Sequence, residues 1–222
     1  MSRGGPLRTL AALPASGDPF EPLVVMLPGA YDTPEHFLEH GFAATLHSLL
    51  PKAGLLLVDC DLGSVADGSL ASRLHQSVIA PARADGQRRL LLGGISIGAL
   101  TALIHADEYP GAVDGLILIA PYPGNRLVTQ AVSSAGSLAA WTAAPLGADE
   151  GELRGWRALQ RLARQAVPPV WLGFGESDRF APAQRMMAAA LPPAHSAQLP
   201  GAHDWPTWAA LWRRLLTAGP WR

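Results

Sequence analysis

The sequence predicts a three-layer α/β sandwich, in which a mostly parallel central sheet is flanked by helices. Short runs that are apolar at every position alternate with longer segments of helical character, and Gly, Pro and Asp residues separate them. Continuously apolar runs are typical of strands buried on both faces of a parallel sheet. Strands that alternate with helices indicate βαβ units. The clearest strands are predicted over 23–27, 55–58, 90–92, 116–120 and 170–174.

Helical segments lie between these strands and after the last of them. A helix is predicted over 69–84, because Leu70, Leu74 and Val78 recur at four-residue spacing. A final strand over 196–199 precedes a carboxyl-terminal helix whose apolar residues share one face, and we expect this face to dock on the core. The residues of that face are Trp205, Trp208, Leu211, Trp212 and Leu215.

The domain organisation follows from length and from one unusually long connection. A chain of 222 residues fits one domain, which we assign to residues 1–222. The segment 121–168 is longer than a single crossover helix between two strands needs. We expect it to form a small helical insertion or cap over one edge of the sheet, with a helix over 153–166. A long crossover loop with one extra helix is the open alternative.

Composition and charge exclude several classes of protein. Hydrophobic residues make up 49% of the chain and charged residues 16%, which excludes a disordered protein. A formal net charge of −1 gives no electrostatic footprint for nucleic acid or for an anionic membrane. The single cysteine, Cys60, excludes an internal disulfide framework.

The sequence also bears on location and assembly. No apolar run is long enough to span a membrane. The amino-terminal stretch 1–17 is a poor signal peptide, because a proline interrupts its short apolar run. We therefore expect a cytoplasmic protein, a monomer or small homo-oligomer, that binds no nucleic acid.

The pentapeptide GISIG over 94–98 is the one G-x-S-x-G motif in the chain. It follows the strand predicted over 90–92 and leads into a predicted helix over 98–106. A sharp turn from strand to helix needs glycines on both sides, because side chains would collide there. The Ser96 hydroxyl would then be exposed at the carboxyl edge of the sheet, above a helix amino terminus. Ser96 is therefore a candidate nucleophile, and an ordinary glycine-rich turn is the alternative.

A serine hydroxyl needs an adjacent base to take its proton. His203 follows the last predicted strand, at the edge where ligand and catalytic groups of parallel sheets gather. His203 is therefore the candidate base. Five other histidines fall in helical segments, where a solvated side chain or one satisfied within the core is the default. They are His36, His40, His47, His75 and His105.

A third group must orient the imidazole and stabilise its charge. The sequence GESDR over 175–179 follows the strand over 170–174, again at a carboxyl end. It offers Glu176 and Asp178 as the orienting acid. We favour Asp178, and a simple ion pair between Asp178 and Arg179 is the structural alternative.

Taken together, these segments resemble the α/β-hydrolase-fold serine hydrolases of the esterase and thioesterase type. The resemblance covers about residues 22–212, in the serine, acid, histidine order typical of that fold. It implies that Ser96 is the nucleophile, His203 the general base and then the acid, and Asp178 the orienting carboxylate. The segments that carry it are GISIG at 94–98, GESD at 175–178 and GAHDW at 201–205.

The same resemblance places an oxyanion-hole donor in the loop after an early strand, where this chain has LPGAY over 27–31. A proline stands where the family usually has a histidine, and the glycine is retained. We assign the donors to the backbone N–H groups of Ala30 and of Ile97, the residue after the nucleophile. Tyr31 is an alternative donor, through its amide or its phenol.

The function implied by this resemblance is hydrolysis of a carboxylic ester or thioester through an acyl-enzyme intermediate. The partner would be a small-molecule substrate, with Tyr31 and Tyr122 as candidate substrate-binding residues. No metal or cofactor is implied, since no cluster of His or Cys residues has ligand spacing, and the aspartates on either side of Cys60 are interpreted as part of a solvated loop. Acyl transfer and carbon–carbon bond hydrolysis by the same triad stay open, as does a non-catalytic binding module.

Overall fold

The structure, a computed structural model, describes residues 5–14, 20–66, 68–147 and 150–221. The amino-terminal stretch considered as a signal peptide, 1–17, lies partly outside these residues. Across the described ranges, no helix is both long and apolar enough to pass through a membrane. The assignment of residues 1–222 to a single domain stays a prediction.

One seven-stranded sheet, built from the described residues, organises the fold. Its strands are β1 (Thr9–Ala12), β2 (Leu23–Leu27), β3 (Gly54–Val58), β4 (Leu90–Ile95), β5 (Gly115–Ile119), β6 (Val170–Gly175) and β7 (Ser196–Leu199). They lie in the order β1-β3-β2-β4-β5-β6-β7, and all neighbours are parallel except β1 and β3. Every strand predicted from the sequence is present, and the mostly parallel sheet confirms the predicted fold class.

Helices cover both faces of this sheet. In the described residues they are α1 (Pro34–Glu39), α2 (Phe42–Leu49), α3 (Leu62–Ala66), α4 (Leu70–Leu74), α5 (Ala80–Ala84), α6 (Ile97–Glu108), α7 (Arg126–Ser133), α8 (Gly151–Gln165), α9 (Ala181–Ala189) and α10 (Trp205–Ala218). A π-helical turn, His75–Ile79, joins α4 to α5, so the helix predicted over 69–84 is continuous. A short 3-10 turn, Pro193–His195, precedes β7.

The central strands are buried on both faces, as their continuous apolar runs predict. In β2, Leu23, Val25 and Leu27 belong to one core cluster, whereas Val24 and Met26 belong to another. Successive side chains of a strand point to opposite faces, so each cluster lies on one side of the sheet. The first cluster packs beneath α4 to α9, and the second packs beneath α1, α2 and α10.

Helix α10 docks on the core through the face that the sequence predicts. Trp208, Leu211, Trp212 and Leu215 are buried, and Trp205 is half-buried at the start of the helix. The helix packs against β6 and β7 on the sheet and against α2 beside it. The aromatic stripe is therefore a packing surface.

Strand β1 is an edge strand that the pattern of apolar runs does not predict. It pairs antiparallel with β3, with Thr9 opposite Val58. Its residues alternate between exposed and half-buried, so it lacks a continuous apolar run. Just before the strand, the Arg8 guanidinium donates to Asp59, at 2.9 Å, and to Glu35. This edge is held by ion pairs as well as by the strand pairing.

The long connection between β5 and β6 contains α7 and α8. The helix predicted over 153–166 is confirmed as α8, which packs on α6. Ala148 and Asp149, within this connection, lie outside the described residues. Its interpretation as an insertion or cap over 121–168 stays a prediction. The buried face of α8 consists of Gly155, Trp156, Ala158, Leu159 and Leu162.

The carboxyl ends of three parallel strands position the candidate functional groups. Strand β4 ends immediately before Ser96, and β6 ends three residues before Asp178. Strand β7 is followed by the loop that carries His203. Because these ends lie at the same edge of the sheet, the three side chains converge there.

Candidate active site

Ser96 lies at the apex of the turn from β4 into α6. Its backbone has φ 53° and ψ −112°, a conformation that residues with side chains rarely adopt. The Ser96 N–H donates to the Ile119 carbonyl at 2.9 Å, and the Tyr122 N–H donates to the Ser96 carbonyl at 3.0 Å. These hydrogen bonds to the end of β5 and to the loop after it hold the strained turn and fix the position of the serine at the sheet edge.

Gly94 and Gly98 leave the space that this turn needs. A Cβ on Gly94 would lie less than 3.0 Å from backbone atoms of Gly98 and Ala99. A Cβ on Gly98 would lie less than 3.0 Å from the carbonyl groups of Leu27 and Pro28. Because these neighbours are backbone, they cannot swing aside as a flexible side chain can. The requirement for glycine on both sides of the serine, predicted from the motif, is therefore steric.

His203 stands in the loop between β7 and α10, and contacts on both sides of it fix this loop. The Asp204 carboxylate caps α10 by accepting the Thr207 N–H at 3.1 Å. The Thr207 hydroxyl accepts the Ala202 N–H at 3.0 Å. Gly201 has φ 133°, and a side chain there would collide with Thr207. The chain is therefore anchored immediately before and after the histidine.

The structure brings Ser96, His203 and Asp178 into one hydrogen-bonded chain. The Ser96 Oγ lies 3.1 Å from His203 Nε2, and His203 Nδ1 lies 2.7 Å from Asp178 Oδ2. An ionised carboxylate only accepts hydrogen bonds, so Nδ1–H donates to Asp178 and Nε2 is left to accept from the serine hydroxyl. The rings of Phe180 and Trp208 meet the imidazole edge-on, at centroid distances of 5.3 and 5.1 Å, and restrict its rotation.

Asp178 is nearly fully buried, with 4% of the residue exposed. Besides His203, its carboxylate accepts the Phe180 N–H at 2.8 Å and the Gln184 side-chain amide at 3.3 Å. Burial is the largest single effect and raises the pKa of this carboxyl, but the hydrogen bonds and the His203 charge together outweigh it and lower the pKa below its usual value. Glu176, the alternative acid from the sequence, is exposed.

The two predicted oxyanion-hole residues, Ala30 and Ile97, line the same cavity as Ser96. Ile97 is the first residue of α6, where backbone N–H groups have no partner within the helix. Ala30 is exposed, in a turn closed by a hydrogen bond from the Asp32 N–H to the Gly29 carbonyl, at 3.2 Å. Both residues therefore lie around the same cavity as the serine, and their role as donors stays a prediction.

A cavity of about 730 Å³ opens beside Ser96. Its polar rim includes Glu150, Glu152, Arg154 and Arg179. Across the described ranges, no group of three or more His, Cys, Asp or Glu side chains could hold a metal ion. A largely apolar pocket with a few polar groups is typical of a small-molecule site. Besides Ala30 and Ile97, the apolar lining includes Val65, Leu70, Ala71, Leu100, Ile104, Leu127, Val128, Leu153 and Phe180.

Tyr122 lines this cavity and is fixed by Glu152. Its hydroxyl donates to one Glu152 oxygen at 2.9 Å, and the other oxygen accepts both the backbone and side-chain N–H groups of Asn125. Burial, followed by the hydrogen bond and the charge of Glu152, raises the pKa of Tyr122 to about 12. Tyr31 is 89% exposed and does not line the cavity formed by the described residues. Substrate contacts for either tyrosine stay predictions.

No family model matches the chain, and no curated protein matches its sequence. Solved structures do match it. S-formylglutathione hydrolase of Staphylococcus aureus aligns with a TM-score of 0.71 and 12% identity, over 95% of this chain and 91% of that one. A fluorophosphonate-binding serine hydrolase of the same organism aligns with a TM-score of 0.68 and 12% identity, over 96% and 98% of the two chains.

A third solved structure, monoacylglycerol lipase of Paleococcus ferrophilus, gives a TM-score of 0.61 at 14% identity, over 96% of this chain and 99% of that one. The alignments span nearly the whole of each chain. This chain has the α/β-hydrolase fold. The fold implied by the resemblance of its motifs is therefore confirmed.

In this α/β-hydrolase fold, backbone hydrogen bonds join the turn that carries Asp178, here called the acid turn (176–178), to the end of β7 and the loop that carries His203, here called the histidine loop (200–204). The Glu176 N–H donates to the Leu199 carbonyl at 2.8 Å, and the Ser177 N–H donates to the Gly201 carbonyl at 2.9 Å. A side chain on Gly175 would collide with the backbone of the histidine loop. The distance between Asp178 and His203 is therefore set by backbone contacts.

Two further polar residues of the site, Gln184 and Glu152, carry no sequence signal. Gln184 is fully buried on α9, and its side-chain amide donates to the Pro121 carbonyl at 3.1 Å as well as to Asp178. Glu152 lies on α8 and supports the loop that carries Tyr122. Glu152 comes from a helix that is near the site only in the folded chain. Gln184 lies only six residues after Asp178, but a buried glutamine has the same local pattern as an exposed one, so no spacing marks it.

Proposed function

We propose that this protein is a serine hydrolase that cleaves a carboxylic ester or thioester through an acyl-enzyme intermediate. The hydrogen-bonded chain from Asp178 through His203 to Ser96, with a small-molecule cavity beside the serine, is the observation that carries the proposal. Serine and histidine in this geometry form an activated nucleophile, and the acid holds the base in one tautomer.

In the first step, the Ser96 Oγ attacks the carbonyl carbon while His203 Nε2 takes the hydroxyl proton. The imidazolium that forms is stabilised by Asp178, which stays ionised because its pKa is held low. The tetrahedral oxyanion is bound by the N–H groups of Ala30 and Ile97, and such donors typically contribute about 3 kcal/mol to transition-state stability. Collapse of this intermediate expels the alcohol or thiol, which takes its proton from His203.

In the second step, water attacks the acyl-enzyme. His203 now takes a proton from the water, and the second tetrahedral intermediate collapses to release the acid. The proton returns from His203 to the Ser96 Oγ, so the enzyme is regenerated. The first and the last proton transfers use the 3.1 Å contact between Nε2 and Oγ, which is within the range that general-base catalysis requires. The two transfers between them join the same Nε2 to the leaving group and to the attacking water.

The structural neighbours support both substrate classes within this proposal. One is an S-formylglutathione hydrolase, whose name describes a thioester substrate, and others are a monoacylglycerol lipase and a ferulic acid esterase, whose names describe oxygen esters. The cavity beside Ser96 has room for a small-molecule acyl group and its leaving group.

We further infer that the enzyme acts in the cytoplasm.

A fluorophosphonate probe tests the activated serine directly. We expect a covalent adduct on Ser96, mapped by mass spectrometry, because the probe reacts with a serine only where an adjacent base takes its proton. Ser96→Ala should abolish the adduct. Ser177→Ala, at an exposed serine in the acid turn, is the matched control and should retain it. Failure of the folded wild-type protein to react, or an adduct on another serine, would contradict the assignment of the nucleophile.

A substrate panel then distinguishes the reaction types. We expect release of para-nitrophenol from para-nitrophenyl butyrate and of thiol from a butyryl thioester, both dependent on Ser96. The ratio of the two kcat/KM values assigns the preferred class. If Ser96 is labelled but added alcohol captures the acyl group in place of water, the enzyme is an acyltransferase and the hydrolase proposal is wrong.

A further inference from the structure

A second cavity adjoins the one that contains Ser96. It has a volume of about 490 Å³, and it lies between α7 and α9, with lining residues along the length of α7. Arg179 and Phe180 line both cavities, so they form the wall between the two. A substrate that extends past Arg179 from the first cavity therefore reaches the second.

The second cavity is positively charged. Arg126 and Arg179 line it, and no Asp or Glu is among its described lining residues. In the described part of the chain, neither arginine forms an ion pair, whereas Arg8, Arg73, Arg83, Arg154 and Arg161 all do. Two arginines that line one cavity without a carboxylate among its described lining residues are complementary to an anionic ligand.

The position of Arg179 is set by its two neighbours in the chain, Asp178 and Phe180. It follows Asp178 directly in the chain, and its guanidinium carbon lies 4.8 Å from the centre of the Phe180 ring. The cation–π contact holds the charge at the wall between the two cavities. The ion pair between Asp178 and Arg179 that the sequence left open is not formed: Asp178 bonds to His203 instead.

The first cavity, unlike the second, has carboxylates at its rim. Glu150 and Glu152 line it, its Arg154 is paired with Glu108, and its Arg179 lies on the wall shared with the second cavity. An anionic group on the substrate is therefore repelled from that rim and attracted past Arg179 into the second cavity. This asymmetry gives a substrate one favoured orientation.

We propose that the second cavity is a subsite for a carboxylate carried by the ester or thioester, with Arg126 and Arg179 as the residues that bind it. This inference rests on the proposed hydrolase activity and names its substrate class: esters with an anionic group remote from the scissile bond. A guanidinium group matches the planar carboxylate with two parallel hydrogen bonds.

Matched pairs of substrates test the subsite and show which end of the substrate it holds. Monophenyl succinate and phenyl butyrate differ by a carboxylate on the acyl group, and para-acetoxybenzoate and para-tolyl acetate differ by one on the leaving group. For one of these pairs, we expect Arg126→Gln and Arg179→Gln each to lower the ratio of kcat/KM, anionic over neutral, by about tenfold. The double variant should lower it further, and added salt should lower it in the wild type.

Arg214→Gln is the matched control, because Arg214 is an exposed arginine on α10 that lines neither cavity. It should leave the ratio unchanged. If the double variant also leaves the ratio of both pairs unchanged, the subsite does not exist. The fluorophosphonate adduct on Ser96 of the wild-type protein separates this result from failure of the proposed function, because it reports the activated serine whether or not the subsite exists.

A binding measurement tests the subsite without turnover. In the Ser96→Ala background, N-phenylsuccinamate and N-phenylbutanamide are compared by calorimetry, together with the corresponding pair of leaving-group analogues. For the same end of the substrate, we expect the anionic amide to bind about tenfold more tightly, and the preference to disappear with Arg126→Gln and Arg179→Gln together. Equal binding of the anionic and neutral amides in both pairs would overturn the proposal. Circular dichroism melts verify that each variant is folded.

Discussion

Replacement of Asp178 with asparagine is expected to lower kcat for an ester substrate by about 10⁴-fold, the effect typical of removing the acid from a Ser-His-Asp arrangement. KM should change little, because Asp178 contacts His203 and not the cavity that receives the substrate. The rate of labelling by a fluorophosphonate should fall with kcat, since both depend on the same deprotonation of Ser96.

Asp178→Asn should lower kcat because of the hydrogen bonds that the Asp178 carboxylate accepts. Its Oδ1 accepts the Phe180 N–H, and its Oδ2 accepts both His203 Nδ1–H and the Gln184 side-chain amide. An asparagine amide must place its NH₂ at one of these two positions. At Oδ2 it meets the Gln184 donor and forces His203 to accept through Nδ1, so Nε2 carries the proton and cannot act as a base. At Oδ1 it opposes the Phe180 N–H in a buried site.

Glu176→Gln is the matched control for this prediction. Glu176 lies in the same turn but is exposed. The substitution removes one carboxylate and leaves the hydrogen bonds of His203 intact. We expect kcat close to that of the wild type. The opposite pattern, with activity lost in Glu176→Gln and kept in Asp178→Asn, would contradict the assignment of the acid and would favour the other carboxylate considered from the sequence.

The elements that sequence predicts correctly are those whose signal is local. The run from Leu23 to Leu27 is apolar at each position because both faces of β2 are covered, and this requirement is visible without knowledge of the rest of the fold. The Ser96 turn is similar, since Gly94 and Gly98 are needed by the sharp bend itself. His203 could be placed because it follows a strand end closely.

The features that sequence does not predict depend on how the elements pack in the folded chain. Strand β1 is half-exposed and short, and it exists because β3 offers it an edge and because Arg8 reaches Asp59. Gln184 supports Asp178 from a helix whose buried face includes this one amide. A buried glutamine has the same local pattern as an exposed one, so only the packing identifies it.

The contact between His75 and His105 is also a feature that the sequence does not predict. It leads to the second large effect that we expect, on the pH dependence of stability. The helical positions of the two histidines predict solvated or core-satisfied side chains. In the structure His105 is fully buried on α6, and its Nε2 lies 3.3 Å from His75 Nδ1, on the π-helical turn. The ring of Tyr109 stacks on His75 at 3.7 Å. The two imidazoles share one hydrogen bond, which requires both of them to be neutral or only one to be charged.

Acid is therefore expected to destabilise the fold through this pair. Burial, and after it the His75 charge, lowers the pKa of His105 from 6.5 to about 3. Burial also lowers the pKa of His75. Below the unfolded value of 6.5, the unfolded chain binds protons that the folded chain excludes, so the free energy of unfolding falls as the pH falls. For His105 alone the loss is about 1.4 kcal/mol per pH unit, or about 2 kcal/mol at pH 5.

Urea unfolding at several pH values between about 7 and about 5 measures this slope, in a window above the titration of most carboxylates. His105→Gln should flatten the dependence by about 2 kcal/mol across the window, whatever its stability at neutral pH. His40→Gln, at an exposed histidine that stacks on Trp205, is the matched control and should retain the wild-type slope. An equally steep slope in His105→Gln and in the wild type would contradict this prediction, because it would show that His105 binds protons alike in the folded and unfolded chains. A fully buried imidazole can do so only if the region around α6 opens in acid before the rest of the fold.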